Sequence, residues 1–139
     1  MGTLADALKS AGHTKKQPNQ YDIFSVADNA INFPEERLGQ GRTRHESRLV
    51  IILQNNKDNY DPTIKICTIA PLSTNKNFYR LDYLLKKLPD HTFLRSDSFI
   101  RMGHVQPILK RDLKTKFGVV TKQTIRDDIQ DRLFSLYDL

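Results

Sequence analysis

The sequence of 139 residues lacks the features that mark exported, disulfide-bonded or membrane-spanning proteins. It contains a single cysteine, so no internal disulfide can form, and this fits a reducing compartment. The longest apolar run, Leu49–Leu53, is far shorter than the roughly 20 residues that cross a bilayer. Residues 1–16 contain no apolar segment of the length found in signal peptides. We therefore expect a cytoplasmic protein that does not enter a membrane.

Motifs for metal, phosphate and nucleophile sites are also missing. The four histidines form no pair at metal-ligand spacing, and there is neither a Gly-rich phosphate loop nor a nucleophile elbow. Cys67 falls within a strand pattern, where a thiol more often packs in the core than attacks a substrate. The sequence therefore favours chemistry that needs neither a metal nor a cofactor, and we expect the protein to bind none.

The charge that is present is mostly positive, with a formal net charge of +6. Such a balance favours a polyanionic partner, although many basic proteins bind no nucleic acid. Four arginines lie close together where a loop is predicted to enter a strand: Arg37, Arg42, Arg44 and Arg48. Because the guanidinium fork matches phosphate oxygens, this stretch predicts phosphate binding. A second basic cluster is more typical of a solvated surface and comprises Lys110, Arg111, Lys114 and Lys116.

The first 20 residues differ from the rest of the chain. Residues 3–11 have the composition of a short helix, and residues 13–20 are polar and contain a proline, which is typical of a flexible arm. One folded domain is then expected over residues 21–139, because a chain of this size has room for one core. Within it, residues 28–46 are predicted to be a long irregular loop, and such loops are usually functional or disordered.

Apolar patterns predict several strands, a turn and one helix. The strands are Tyr21–Val26, Ser47–Gln54 and Thr63–Pro71, with weaker candidates at Phe78–Leu85, Thr92–Met102 and Lys116–Val120. Asn55–Pro62 has turn chemistry throughout. A helix is expected after Thr121 as its N-cap, with an apolar stripe of Ile125, Ile129, Leu133, Leu136 and Tyr137. The fold class is α+β, a small and strongly bent barrel-like sheet closed by a C-terminal helix.

One polar arrangement lies at the ends of two predicted strands. Arg48 immediately precedes the buried run Leu49–Leu53, while Ser73 and Thr74 follow the strand that ends at Pro71. If these strands are neighbours in the sheet, the guanidinium of Arg48 can face the two hydroxyl groups. The alternative is a surface arginine and an ordinary turn, and the spacing alone does not decide between them.

Further patterns surround these residues. Gly39-Gln40-Gly41 leads to the segment Arg48–Asn55, and a later strand ends in Ala70-Pro71-Leu72-Ser73-Thr74. Val105–Ile108 is followed by the basic turn Lys110–Leu113, the strand Lys116–Val120 and the helix. In this order and spacing, over residues 21–139, the sequence resembles the MazF/PemK/Kid family of toxins from type II toxin–antitoxin systems. It departs from the family at Leu49, usually proline, at Ser73, commonly threonine, and at Val105, often acidic.

The resemblance implies an SH3-like, strongly bent antiparallel β-barrel of the CcdB/PemK type with a C-terminal helix. It implies a metal-independent endoribonuclease that cleaves single-stranded RNA, with the ribose 2′-hydroxyl attacking the adjacent phosphodiester. Arg48 and Ser73 are then the predicted catalytic residues, as a fixed cation and a hydrogen-bond donor at the scissile phosphate. The predicted RNA-contacting residues are Arg42, Arg44, His45, Thr74, His104 and Gln106, with Phe33 stacking on a base. A homodimer and an acidic antitoxin partner are also implied.

Two other functions remain open at this point. A gyrase poison of the CcdB kind shares the expected fold, but such proteins rely on a C-terminal tryptophan and this chain has none. A catalytically silent RNA-binding or regulatory domain on the same scaffold is the second. An ion pair that holds Arg48 on Glu46 or Glu36 would favour this silent domain. His45 is open as well, because it has the titration range of a proton shuttle and also the position of an ordinary loop histidine.

Overall fold

A curled antiparallel sheet forms the body of the protein in the computed structural model, which describes residues 17–39, 45–75 and 79–138. The strands within these ranges are β1 (Asp22–Ala27), β2 (Ser47–Ile52), β3 (Ile66–Ser73), β4 (Tyr83–Leu85), β5 (Ser98–Ile100), β6 (Gln106–Leu109) and β7 (Lys116–Val119). Two α-helices accompany them, α1 (Asn56–Tyr60) and α2 (Gln123–Leu136). The predicted α+β class, a bent sheet with a C-terminal helix, is confirmed. No helix within the described ranges is long and apolar enough to cross a membrane.

The long strand β3 causes the sheet to curl. One edge of β3 pairs with β2, with Val50 opposite Pro71. Its other edge pairs with β6 near its start and with β5 near its end. The remaining order runs from β4 and β5 through β3, β2 and β1 to β7. Because two different strands share one edge of β3, the sheet divides there and bends into a half-barrel.

Apolar residues on both faces of the central strands explain why β2 has a continuous hydrophobic run. On one face, Ile51 and Leu53 join a core that includes Ile129 of α2. On the other, Val50 and Ile52 join a second core with Phe24 of β1. Side chains alternate along a strand, so Arg48 belongs to the second face, at the end of that core.

The ends of α2 differ from the sequence prediction. Thr121 is not the N-cap, because the helix begins at Gln123 and Lys122 occupies the cap position without a side-chain bond. The start of the helix is held instead by Arg126, whose Nε donates to the carbonyl of Val120 at 2.7 Å. Tyr137 is 62% exposed, since the helix ends at Leu136 and the next residue leaves the apolar stripe. The other four predicted stripe residues do pack on the core, as expected.

The segment predicted as a turn before β3 contains the short helix α1. Asn55 caps it by accepting a bond from the backbone of Asp58 at 2.9 Å. Lys110 closes its other end, where Nζ donates to the carbonyls of Asp58, Asn59 and Asp61 at 2.9, 3.0 and 3.0 Å. Lys110 is therefore a structural cap, not one of a set of solvated cations. The strand β3 begins at Ile66, three residues later than predicted, because Asp61 and Thr63 form a hydrogen-bonded turn.

The last residues of the predicted flexible arm, 18–20, are not flexible but contact the folded domain. Pro18 is buried, and the side chain of Gln20 donates to the carbonyl of Leu53 at 3.0 Å. The backbone of Asn19 donates to the buried carboxylate of Asp22 at 2.8 Å. These residues therefore pack on the sheet, whereas the predicted short helix lies outside the described residues.

Candidate functional site

Arg48 lies where the strands β2 and β3 meet at one end of the sheet. The two strands are antiparallel neighbours, as the predicted arrangement of Arg48 and Ser73 requires. Val50 faces Pro71, so extending this register by two residues brings Arg48 to the level of Ser73. Direct contact supports this placement, because Nη1 of Arg48 donates to the carbonyl of Leu72 at 3.3 Å.

A buried carboxylate holds the opposite side of the guanidinium. Nε of Arg48 donates to Oδ1 of Asp28 at 2.9 Å, with side-chain exposures of 10% and 4%. The face of the guanidinium rests on the ring of Phe33, with Cζ 5.2 Å from the ring centroid. Among the described residues, none bonds to the third nitrogen, Nη2. The ion pair that Arg48 forms is therefore with Asp28, and not with Glu46 or Glu36.

The turn after β3 presents the hydroxyl groups of Ser73 and Thr74. Oγ of Ser73 accepts a bond from the backbone of Asn75 at 3.2 Å, which leaves its proton available to a phosphate oxygen. Thr74 is exposed. The turn is held by Arg101, a buried residue that donates hydrogen bonds to the carbonyl of Asn75 and to Asp82. A buried, paired arginine thus fixes the backbone that carries both hydroxyls.

His45 is exposed and precedes β2. Its backbone nitrogen donates to Oδ2 of Asp28 at 3.2 Å, so the same carboxylate holds the residues leading into the strand and Arg48 within it. A surface pocket of about 210 Å³ lies here, lined by Ala27, Asp28, Asn29, His45 and Glu46. His45 is therefore close to Arg48 along the chain and lies at the rim of a pocket.

His104 is brought to the same end of the sheet, but it is already in contact with the protein. Its ring lies 4.9 Å from that of Phe33, and Nε2 is 2.7 Å from the carboxylate of Glu35. Partial burial opposes ionisation of Glu35, but hydrogen bonds from His104 and from its own backbone outweigh it, so the pKa of Glu35 is lowered. Phe33 contacts both Arg48 and His104, so a base could stack on it only by displacing one of them.

Gln106 is engaged by the same loop. Its Oε1 accepts from the backbone of Asn32 at 2.9 Å, and its Nε2 donates to the carbonyls of Asn32 and His104 at 3.0 Å each. We define the segment Asn32–Glu35 as the covering segment, because it contacts both predicted base-binding residues. An RNA that uses His104 or Gln106 must replace these contacts.

Other predicted features stand apart from this end of the sheet or cannot be placed. Arg42 and Arg44 lie outside the described residues. Cys67 is fully buried and burial raises its pKa to about 12, so the prediction that it belongs to the core is confirmed. Lys116 forms an ion pair with Asp22 at 3.2 Å, at the far end of β1 from Asp28. Within the described ranges, no group of three His, Cys, Asp or Glu side chains is arranged to hold a metal ion.

Three further residues of this site, Asp28, Asn32 and Glu35, were not predicted from the sequence. All three lie in the stretch expected to be an irregular loop, where a 3₁₀ turn spans Asp28–Ala30 and another spans Pro34–Leu38. One signal was available for Asp28, an acidic residue directly after an apolar strand. The antiparallel register of β1 and β2, in which Val26 faces Arg48, would have placed it near the guanidinium.

Comparisons with known proteins agree with this architecture. The sequence profile of the PemK-like, MazF-like toxins of type II toxin–antitoxin systems matches residues 29–135. The Mycobacterium tuberculosis toxin MazF-mt6 has a TM-score of 0.61 at 15% identity, over 85% of this chain and 97% of that chain. MazF from Deinococcus radiodurans also has a TM-score of 0.61 at 15% identity, over 88% and 97%.

A third similar structure is the MazE–MazF complex of Deinococcus radiodurans, with a TM-score of 0.58 at 12% identity, over 86% of this chain and 94% of that chain. No curated protein sequence matches the chain. At these identities the structures show a common fold, while the profile covers most of the sequence, including both sides of the candidate site. The chain belongs to the family of PemK-like, MazF-like toxins of type II toxin–antitoxin systems.

Proposed function

We propose that this protein is a metal-independent endoribonuclease that cleaves single-stranded RNA in the cytoplasm. The observation that carries the proposal is the position of Arg48, whose guanidinium lies beside the peptide that precedes Ser73. A fixed cation and a hydroxyl donor thus flank one end of the sheet, in a chain of the MazF-like family. Both groups favour a bound phosphodiester, and neither requires a metal.

The reaction that suits these groups uses the RNA itself as nucleophile. The ribose 2′-oxygen forms a bond to the adjacent phosphorus and the bond from phosphorus to the 5′-oxygen breaks. A proton leaves the 2′-hydroxyl and a proton is taken up by the 5′-oxygen, so the products carry a 2′,3′-cyclic phosphate and a 5′-hydroxyl. Negative charge grows on the phosphoryl oxygens during the attack, and preorganised donors that face them lower the barrier.

Arg48 supplies the charge in this proposal, and Ser73 supplies orientation. A guanidinium keeps its protons in proteins, so Arg48 acts as an electrostatic clamp through Nη2, and not as the general acid. Ser73 donates its hydroxyl proton to a second phosphoryl oxygen and so fixes the phosphate. His45 lies three residues before Arg48, and its imidazole would accept or donate a proton in the reaction.

The rest of the RNA would run across the same end of the sheet. Arg42 and Arg44 contact phosphates in this proposal, and Thr74 binds the strand beside Ser73. His104 and Gln106 contact splayed bases once the covering segment has been displaced. Bases in a duplex are stacked and paired, so this mode of binding selects single strands.

A toxin of this family needs a protein that restrains it. We propose an acidic antitoxin segment that contacts the arginines at residues 37–48 and occupies the site, together with a homodimeric toxin. The net charge of +6 supports an acidic partner, and one of the similar structures is a complex named MazE–MazF. No observation favours a gyrase poison, because the sequence contains no tryptophan and its profile match is to the MazF-like toxins.

One observation favours a second candidate, the catalytically silent RNA-binding domain. Arg48 forms an ion pair with a buried aspartate, which partly neutralises the charge available to a phosphate. Against this, the pair uses Nε, while Nη2 has no partner among the described residues. The two candidates therefore differ in one measurable property, which is cleavage.

The test is incubation of the purified protein with single-stranded RNA in EDTA, beside the same RNA as a duplex. We expect fragments with cyclic phosphate and 5′-hydroxyl ends from the single strand, and intact duplex. The matched control is an oligonucleotide of the same sequence with 2′-deoxyribose throughout, which lacks the nucleophile. Loss of all cleavage on chelation would count against the metal-independent mechanism, and binding without any cleavage would establish the silent domain.

A further inference from the structure

Asp28 is a buried carboxylate directly after β1, in contact with the proposed phosphate-binding residue Arg48. It is 4% exposed and begins the 3₁₀ turn that leads out of the strand. Burying a charge is costly unless it is paired and hydrogen-bonded. Both of its oxygens accept bonds from the neighbouring strand region, Oδ1 from Nε of Arg48 and Oδ2 from the backbone of His45. Asp28 therefore ties the end of β1 to the start of β2.

Three contacts fix the orientation of the Arg48 guanidinium. Asp28 holds Nε at 2.9 Å, the carbonyl of Leu72 holds Nη1 at 3.3 Å, and Phe33 supports one face. An arginine without such contacts samples many rotamers, and a phosphate would have to order it. Here the plane and its rotation are already set. The remaining nitrogen, Nη2, has no hydrogen-bond partner among the described residues, and the Nη2 proton that points away from Nε remains for a ligand.

We propose that Asp28 is a positioning residue for Arg48, holding the guanidinium so that Nη2 meets the scissile phosphate; this inference rests on the proposed endoribonuclease function. It acts through Arg48 and touches no RNA. Its charge also opposes the phosphate, so it weakens RNA binding slightly while it improves the geometry. Transition-state stabilisation depends on that geometry at one phosphate, whereas RNA binding is spread over several cations.

This balance gives Asp28→Asn a distinctive signature. Asparagine keeps the size but has a single acceptor oxygen for the two donors described above, Nε of Arg48 and the backbone of His45, so the guanidinium loses its fixed rotation. We expect single-turnover cleavage to fall by roughly 10- to 100-fold, because a misplacement of about 1 Å can cost about 10² in rate. Binding to a 2′-deoxy analogue of the substrate should be unchanged or tighter, since a negative charge is removed. A residue with a merely structural role would not separate rate from affinity.

The matched control is Asp22→Asn. Asp22 is also buried, in the same strand, and pairs with Lys116 at the opposite end. It should lose comparable stability and keep the wild-type cleavage rate at temperatures where the variant is folded. The double variant Asp28→Asn with Arg48→Lys should lose less than the product of the single effects, because both changes act on one guanidinium.

The outcomes separate this inference from the proposed function. If the wild-type protein cleaves RNA and Asp28→Asn cleaves equally fast, Asp28 positions nothing and only this inference fails. A parallel loss of affinity and rate would also overturn it. If the wild-type protein cleaves no RNA, the endoribonuclease proposal fails and this inference with it. If Asp28→Asn does not fold, the exchange rate of the Arg48 Nε–H proton with water is measured in the wild-type protein. The signal of this proton is assigned by its absence in Arg48→Lys. Rapid exchange would show that Asp28 does not hold Nε and would overturn the inference.

Discussion

The carbonyl oxygen of Leu72 accepts a hydrogen bond from Nη1 of Arg48 at 3.3 Å, so the side chain of one strand is fixed to the backbone of its neighbour beside Ser73. The bond matters because the two proposed catalytic residues are far apart in the sequence and meet only through strand pairing. A phosphate bound to both would contact two strands whose relative position is set by the central sheet. Strand pairing and this hydrogen bond therefore limit how far the two residues can move relative to each other, as the proposed reaction requires.

Arg48→Lys should fold and bind RNA, and should cleave it poorly. Lysine keeps the charge but loses the planar fork, so it cannot contact Asp28, Leu72 and a phosphate together. Losing one preorganised donor typically costs on the order of 10²–10³ in rate. Single-turnover cleavage and binding to a 2′-deoxy analogue measure the two effects. Arg80→Lys, at an exposed position, is the control. Cleavage at the wild-type rate would place the site elsewhere.

Ser73→Ala should slow cleavage in the same direction as Arg48→Lys. The hydroxyl orients the phosphate on which the guanidinium acts, so the two residues work on one group and their effects should be less than additive. Rates of the two single variants and the double variant give the coupling directly. Ser135→Ala, an exposed serine on α2, controls for removal of a hydroxyl. Fully additive effects would mean that Ser73 and Arg48 serve separate steps.

RNA affinity should fall steeply with added salt, and replacing Arg42 or Arg44 by alanine should flatten that dependence. Binding to a phosphate releases counterions, so the slope of log affinity against log salt should decrease by about one unit for each phosphate that the variant no longer binds. Fluorescence anisotropy with a 2′-deoxy analogue at several salt concentrations measures the slope. Arg95→Ala serves as a control on an exposed arginine. An unchanged slope would show that these arginines do not contact RNA phosphates.

The main elements of this fold follow from local sequence patterns. The run Leu49–Leu53 is apolar on both faces because β2 has a core on each side, and this pattern is visible without a structure. The helix α2 is predicted for the same reason, since its packed residues repeat at helical spacing. Its ends were predicted less well because Arg126, and not a capping hydroxyl, holds the start of the helix.

The short strands could be predicted only in part. The strand β6 contains Pro107, and its sequence gives no strand signal beyond a resemblance to the family. It is stabilised by pairing with β3, with Thr68 opposite Pro107, which is a long-range contact that local propensity does not contain. The start of β3 was misplaced for a related reason, because turn bonds of Asp61 outweigh the alternating pattern.

The sequence pointed to the residues of the candidate site that lie at the ends of strands, but not to those in the connection between β1 and β2. Arg48 and Ser73 stand next to recognisable strands, so their meeting follows from one assumption about pairing. Asp28 and Glu35 lie in the long connection between β1 and β2, where no tight turn fixes the register. Their contacts depend on how that connection folds back, and single-sequence patterns carry little information about it.

Cys67 should be inert towards alkylation in the folded protein. Burial raises its pKa to about 12, so at about pH 8 almost no thiolate is present, and the side chain is fully enclosed. Iodoacetamide labelling followed by mass spectrometry should show slow reaction in buffer and rapid reaction in urea. The unfolded protein is its own control for the number of thiols. Rapid labelling without denaturant would contradict the buried position of the strand.

Glu35→Gln tests the covering segment through both RNA binding and pH. Glutamine keeps an acceptor for His104 but removes a negative charge. The covering segment should therefore separate from His104 more readily, and RNA should bind more tightly. The effect on stability should be small, at most about 1 kcal/mol, because Glu35 is 44% exposed and solvent screens the pair. Glu46→Gln removes the same charge at an exposed position outside the covering segment, and controls for net charge.

The pH dependence of this contribution has a definite sign. The pKa of Glu35 is lowered in the folded protein, because its hydrogen bonds with His104 and its own backbone outweigh partial burial. Its contribution is therefore present above the ordinary value of 4.5 and lost as pH falls through the lower folded value. Urea unfolding of the wild type and Glu35→Gln should differ near neutral pH and converge at acidic pH, once Glu35 is protonated in the folded protein as well. A difference of equal size at both pH values would show that the carboxylate charge of Glu35 does not hold the covering segment in place.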